Sequence, residues 1–267
     1  MGNATSTVIQ PSDLRFHITT GAEGSAALAA AESQDGYLEL VAKDRANRIA
    51  RQSMNYSANR LSPSEMAALT DRINSFLPRI PFPLRTLNPT IVPLMPSADS
   101  GFPHTRPSDL VCLPGSATAI SCETFVHELW HLHQRAHYRE WTAFFEKKWN
   151  WRIYDGTINP DLEAMRRLNP DTLTDPLWIW NNEWVPMCVF LNPKSPSFDN
   201  TATWFYNIRT GFHYKQIPDA MAVFFSRSLS PSAYEHPCET SAYMITGPPL
   251  DCPAYLALTQ RWNKDPY

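Results

Sequence analysis

From Ser121 to Trp149 the chain runs without a glycine or a proline, and it carries Phe125, Leu129, Trp130, Trp141, Phe145 and Trp149 along the way. Such a stretch predicts one long helix, N-capped by Ser121 with Glu123 in its first turn, and apolar on more than one side. A rod of that kind must be surrounded by the rest of the fold. Within it stands His127-Glu128-Leu129-Trp130-His131. Four-residue spacing on a helix puts both imidazoles on one face, where they can share a zinc ion, with Glu128 beside them as a base for a water.

A hydrolytic zinc site needs three protein ligands and one open position. One candidate for the third is His137, which matches the outer spacing of a longer motif in which a glycine lets the chain turn back. That glycine is replaced by Gln134, and Gln134-Arg135-Ala136 are good helix formers, so the helix is expected to run on and carry His137 away from the face of His131. The other candidate, preferred here, is Glu239 in Glu235-His236-Pro237-Cys238-Glu239, at the start of a helix predicted from Pro237 to Ile245. Glu235 lies before the proline and outside that helix, which makes it the weaker choice.

The remaining elements are read from caps and periodicity. Ser62-Pro63-Ser64-Glu65 is a capping box with proline at the first helical position, followed by a stripe of Met66, Leu69, Ile73 and Phe76. Strands are expected near Thr90 to Leu94, at Asp109 to Leu113, from Trp184 to Leu191 and from Thr203 to Tyr214. Ala220 to Phe225 reads equally as strand or helix, and a last helix is expected from Asp251-Cys252-Pro253 to about Trp262. Residues 1–35, rich in Ala, Ser, Thr and Gly, read as a flexible arm, and residues 36–267 as one unit with two sub-lobes flanking a cleft.

Composition excludes several classes. A net charge of -3 and the lack of any basic tract leave no electrostatic footprint for nucleic acid. Five scattered cysteines without C-x-x-C spacing argue against a disulfide framework and against a thiolate zinc site. With no secretory signal and no apolar run of membrane-spanning length, a cytoplasmic, reducing compartment is expected, so the sequons at Asn3 and Asn55 carry no weight. Met1-Gly2-Asn3-Ala4-Thr5-Ser6 fits the myristoylation pattern, in which an acylated Gly2 would give only weak membrane association.

Taken together, the Asp109 to Leu113 strand, the His127 to His131 motif and Glu239 resemble the gluzincin branch of the zincin metallopeptidases. Gly101-Phe102-Pro103-His104-Thr105-Arg106, His127 to Arg135 and His236-Pro237-Cys238-Glu239 are also similar to zincin-like proteins of large DNA viruses and protists. The resemblance implies an α+β fold: a small mixed sheet with an edge strand packed on the long motif helix, and a helical C-terminal part carrying the third ligand. It implies an endopeptidase with Zn2+ on His127, His131 and Glu239 and with Glu128 as base, acting on a peptide or protein substrate. That substrate would add as an extended chain to the Asp109 to Leu113 edge. Many gluzincins place an aspartate four residues after the glutamate. Here that position is Tyr243, expected to orient a ligand or to stabilise the oxyanion, with His104, His213 and Tyr214 as other oxyanion donors. His133 and the tryptophans at 141, 149, 151, 178, 180 and 184 read as packing. The alternative from a different class is a non-proteolytic structural or interaction protein on a zincin scaffold, associated with a membrane or a virion.

Overall fold

The structure, a computed structural model, describes residues 14–114 and 119–264. Gly2 and the rest of the myristoylation-like start lie outside the described residues, as does Asn3. The first half holds β1 (His17–Ile18), α1 (Gly21–Asp35), α2 (Tyr37–Lys43), α3 (Arg45–Arg51), α4 (Pro63–Asn74), β2 (Thr90–Pro93), β3 (His104–Arg106) and β4 (Leu110–Leu113). Next come α5 (Cys122–Ala136), α6 (Tyr138–Trp149), β5 (Trp151–Ile153), α7 (Pro160–Glu163), β6 (Trp178–Trp180), β7 (Trp184–Phe190), β8 (Thr201–Asn207) and β9 (His213–Tyr214). The chain closes with α8 (Asp219–Phe225), α9 (Pro237–Thr246) and α10 (Pro253–Lys264). This is an α+β fold with two small sheets. Among the described residues no helix is long and apolar enough to cross a membrane.

The first sheet is mixed, in the order β1-β2-β4-β3, with β1, β2 and β4 parallel and β3 antiparallel to β4. β4 therefore lies inside the sheet, and the expected edge at Asp109 to Leu113 is corrected: the edge on that side is β3. All four residues of β4 are buried, as a strand covered on both faces and paired on both sides requires. The second sheet is an antiparallel run, β5-β6-β7-β8-β9. One apolar cluster joins Ile91 and Val111 of the first sheet, Leu129 and Trp130 of α5, and Trp178 and Phe205 of the second. Of the six tryptophans read as packing, five are buried and Trp184 is half-buried against the same cluster.

Two expectations fail locally. The predicted rod from Ser121 to Trp149 is broken at His137 (φ -113°, ψ 39°) into α5 and α6, although both flanks are good helix formers. His137 N–H bonds to His133 O at the end of α5 and Trp141 N–H to His137 O at the start of α6, but none of Tyr138, Arg139 and Glu140 bonds back to α5, so the ladder is interrupted at the bend. Beyond the bend, the Trp149 indole donates to Ala254 O on α10, and the Trp180 indole donates to Trp149 O from β6. Packing against two later elements outweighs the modest propensity for a straight continuation.

The arm read through residue 35 is also corrected, because residues 17–35 contain β1 and α1. Gly24 of α1 lies so close to its neighbours that an added Cβ would stand 2.8 Å from Ala58 Cβ. Glu32 and Asp35 reach the fully buried Arg106 of β3 at 2.8 and 2.6 Å. An alanine-rich helix with two buried apolar side chains, Leu28 and Ala31, gives little periodic signal, and its anchoring is ionic.

Candidate metal centre

α5 begins at Ser121, whose hydroxyl accepts from Thr124 N–H at 3.0 Å, and the helix then presents His127 and His131 on one face. α9 begins at His236, with Pro237 at its first position. The Nδ1 of His236 accepts from Cys238 N–H at 3.1 Å while its Nε2 donates to Asp175 O at 2.8 Å. Burial pushes this imidazole down to about 4, which suits a cap that must stay neutral to accept. The first turn of α9 then points Glu239 at the histidines of α5.

Three donor atoms converge there. Nε2 of His127 and Nε2 of His131 are 3.0 Å apart, Glu239 Oε2 lies 3.3 Å from the first, and Glu239 Oε1 lies 3.5 Å from the second. Ligand atoms around a tetrahedral zinc at its usual bond lengths are about 3.3 Å from one another, and these donor atoms, all within 4.8 Å of one another, are spaced on that scale. His137 is not in the cluster; its ring packs on His133, 4.4 Å between centroids. Glu235 is not in it either. Its carboxylate is held by Arg167 at 3.0 and 3.2 Å and by Asn169 at 2.8 Å.

The charges reinforce the convergence. Burial opposes an ionised Glu239, yet His131 and His127 outweigh it and hold the carboxyl well below its ordinary range. Burial likewise opposes a charged His131, but Glu239, with Asp171 and Glu128, pushes that imidazole up to about 10. The charge of Glu239 that draws a proton to His131 would equally attract a cation, which must displace that proton to bind.

Glu128 is 3% exposed, and its Oε2 has no hydrogen-bond partner. Burial and the nearby charge of Asp171 raise its carboxyl well above the usual range. An orphaned acceptor of this kind costs stability unless something outside the protein meets it. Glu128, His127, Glu239 and Tyr243 line one cavity of about 550 Å³.

The other expected site residues are dispersed. Tyr243 stands at the cavity with its ring edge-on to His127 at 5.0 Å, and its hydroxyl accepts from Ser232 Oγ at 3.4 Å. His104 also faces the cavity, but its Nε2 is engaged by the Tyr56 hydroxyl at 2.7 Å and its Nδ1 by Phe102 O at 3.1 Å, which leaves no ring nitrogen for an oxyanion. His213 and Tyr214 lie exposed on β9, the outer strand of the second sheet. His213 stacks on Trp204 and Tyr214 packs on Trp184, and neither lines the cavity. His133 accepts from the Trp141 indole inside the core.

Sequence reasoning missed a segment that crosses the site. Asn169 Nδ2 donates to Glu239 Oε1 at 2.9 Å and to Glu235 Oε1 at 2.8 Å, bridging the candidate ligand to its neighbour. Asp171 Oδ1 accepts from both Thr105 N–H and Thr105 Oγ at 2.6 Å, and so occupies the outward edge of β3. Read as sequence, Asn169-Pro170-Asp171 marks no more than a loop. Its partners lie 66 and 70 positions away, beyond the reach of any local pattern. No family model matches this chain, and no curated protein or solved structure matches it either.

Proposed function

We propose that this protein is a zinc-dependent peptidase with a zincin-like arrangement, in which His127, His131 and Glu239 hold the metal and Glu128 is the general base. The observation that carries this reading is the convergence of three donor atoms beside Glu128, a buried carboxyl with one unpartnered oxygen, with His127, Glu128 and Glu239 lining one cavity. The antiparallel edge strand β3, close to α5, and a ligand on the later helix α9 support the zincin-like comparison. When bound, zinc would supply Lewis-acid polarisation of a carbonyl and a water of lowered pKa.

The chain's own groups account for the proton traffic. Glu128, raised by burial and lying at the cavity wall, takes the proton from the attacking water and delivers it to the leaving amine. Asn169 steadies Glu239. Tyr243 closes the side of His127 and presents its hydroxyl near the same cavity.

One observation favours the non-proteolytic alternative: Thr105 N–H, the donor an added strand would use at the β3 edge, is already taken by Asp171. Elemental analysis of protein purified without chelator or polyhistidine tag, followed by a peptide-library digest with and without chelation, separates the two. A peptidase gives stoichiometric zinc and chelator-sensitive cleavage; Glu239→Ala loses the metal and His137→Ala keeps it. Zinc without cleavage favours the scaffold reading, and absence of zinc ends the peptidase reading.

A further inference from the structure

We infer that Gln134 is a positioning residue that locks the proton of His131 on Nδ1, leaving Nε2 as the nitrogen that faces Glu239 and His127. The inference rests on the metal-site reading only for its consequence. The direction of each hydrogen bond follows from donor and acceptor chemistry.

The chain of bonds begins at groups with no choice. The indole Nε1 of Trp130 can only donate, and it lies 2.9 Å from Ser241 Oγ. The carbonyl of Cys238 can only accept, and it lies 3.0 Å from Ser241 Oγ and 3.0 Å from Gln134 Nε2. Ser241 therefore accepts from Trp130 and spends its own proton on Cys238. The end of the Gln134 amide that faces Cys238 O must be the NH2, because a carbonyl oxygen there would meet another acceptor. That NH2 also donates to Ser241 Oγ at 2.7 Å.

With the amide so fixed, the Oε1 of Gln134 faces His131 Nδ1 at 2.9 Å. Oε1 can only accept, so Nδ1 carries a hydrogen. Both residues are buried, which removes water as a competing partner. Nε2 is then the ring nitrogen left to face His127 and Glu239 at the candidate metal position, and it would offer its lone pair once a metal displaces its proton.

The helix former that stands where the longer motif has glycine is thus the group that orients a ligand. The same side chain joins α5 to the first turn of α9. A neutral amide does this work at a site where Tyr243, the residue one turn beyond Glu239, makes only a ring contact to His127.

The test is nitrogen NMR of protein labelled with 15N-histidine, supported by zinc affinity from competition with a chromogenic chelator. In wild-type protein, metal-free and zinc-loaded, His131 Nδ1 should show the shift and the attached proton of a protonated ring nitrogen. Gln134→Met should lose the slowly exchanging Nδ1 proton and weaken zinc about 10–100-fold, whereas Gln134→Glu, which keeps an acceptor for Nδ1 but sets an oxygen against Cys238 O, should keep the Nδ1 proton while losing folding stability. An unprotonated Nδ1 in the wild type overturns the inference whether or not the variants fold, and so does a folded Gln134→Met with unchanged zinc affinity. Wild-type protein that shows the Nδ1 proton but takes up no zinc would sink the peptidase reading and leave the proton lock standing.

Discussion

Replacing Arg167 with methionine isolates the electrostatics behind the third ligand. Arg167 lies 3.0 and 3.2 Å from the two oxygens of Glu235, and the side chains are 18% and 7% exposed. Removing one partner of a buried pair leaves an uncompensated charge, at a cost of about 3–5 kcal/mol, and the residual exposure of Arg167 places the expected loss at about 3 kcal/mol. Burial already holds Glu235 above the ordinary carboxylate range, with Arg167 opposing it, so without the guanidinium the carboxyl rises further. A raised folded-state pKa gives stability that is present below the unfolded value and lost as pH rises. The gap between wild type and variant is therefore small at pH 4, where Glu235 is protonated in both states. It opens above the raised folded-state value of Glu235 in the wild type, because below it both proteins respond to pH alike, grows by about 1.4 kcal/mol per pH unit, and levels off about two units higher, where about 3 kcal/mol has accumulated. Urea denaturation with chelator present, at pH 4 and at pH 7, measures this directly. Thermal unfolding at pH 7 should fall by roughly 6–12 °C. A gap that is equal at the two pH values, or below about 1 kcal/mol at pH 7, refutes the reasoning. Arg167→Met combined with Glu235→Leu should recover most of the loss, because no lone charge is left behind.

Glu128→Gln should leave zinc content unchanged and reduce peptide hydrolysis by about 10²–10⁴-fold; equal cleavage would remove Glu128 from the role of base. Trp149→Ala, at a fully buried indole that bonds to Ala254 O, should cost about 3–5 kcal/mol in chemical denaturation, and a loss within the error of the fit would count against the packing described for α6. Ser62→Ala removes a complete capping box and should cost about 1 kcal/mol without altering zinc binding, as a combined melt and metal assay would show.

Legibility followed range. The capping box at Ser62, the Ser121 cap and the Pro237 start each depend on residues within one turn, and each stands where its pattern placed it. The run Trp184 to Leu191 and the first part of Thr203 to Tyr214 form the paired strands β7 and β8, because aromatic and β-branched residues suit a pleated, half-covered surface. The ambiguous stretch Ala220 to Phe225 became α8, decided by the fully buried Met221, Ala222 and Phe225. From sequence the Ala-rich part of residues 1–35 suggests no more than a helical turn, because the anchors of α1 are carboxylates meeting Arg106, a partner 71 and 74 positions away. The unbroken apolar run Leu110-Val111-Cys112-Leu113 did carry a hint that β4 is interior, since an edge strand with one wet face alternates.

By itself the sequence determined that two imidazoles and a carboxylate share one stretch of helix, since 3.6 residues per turn is a property of the backbone and needs no neighbour. Only the tertiary structure decided that Glu239 meets them, that Asn169 and Gln134 hold the meeting in place, and that α5 ends at His137. Those contacts join segments far apart in the chain, and they exist because burying a continuous core brings α5 and α9 side by side.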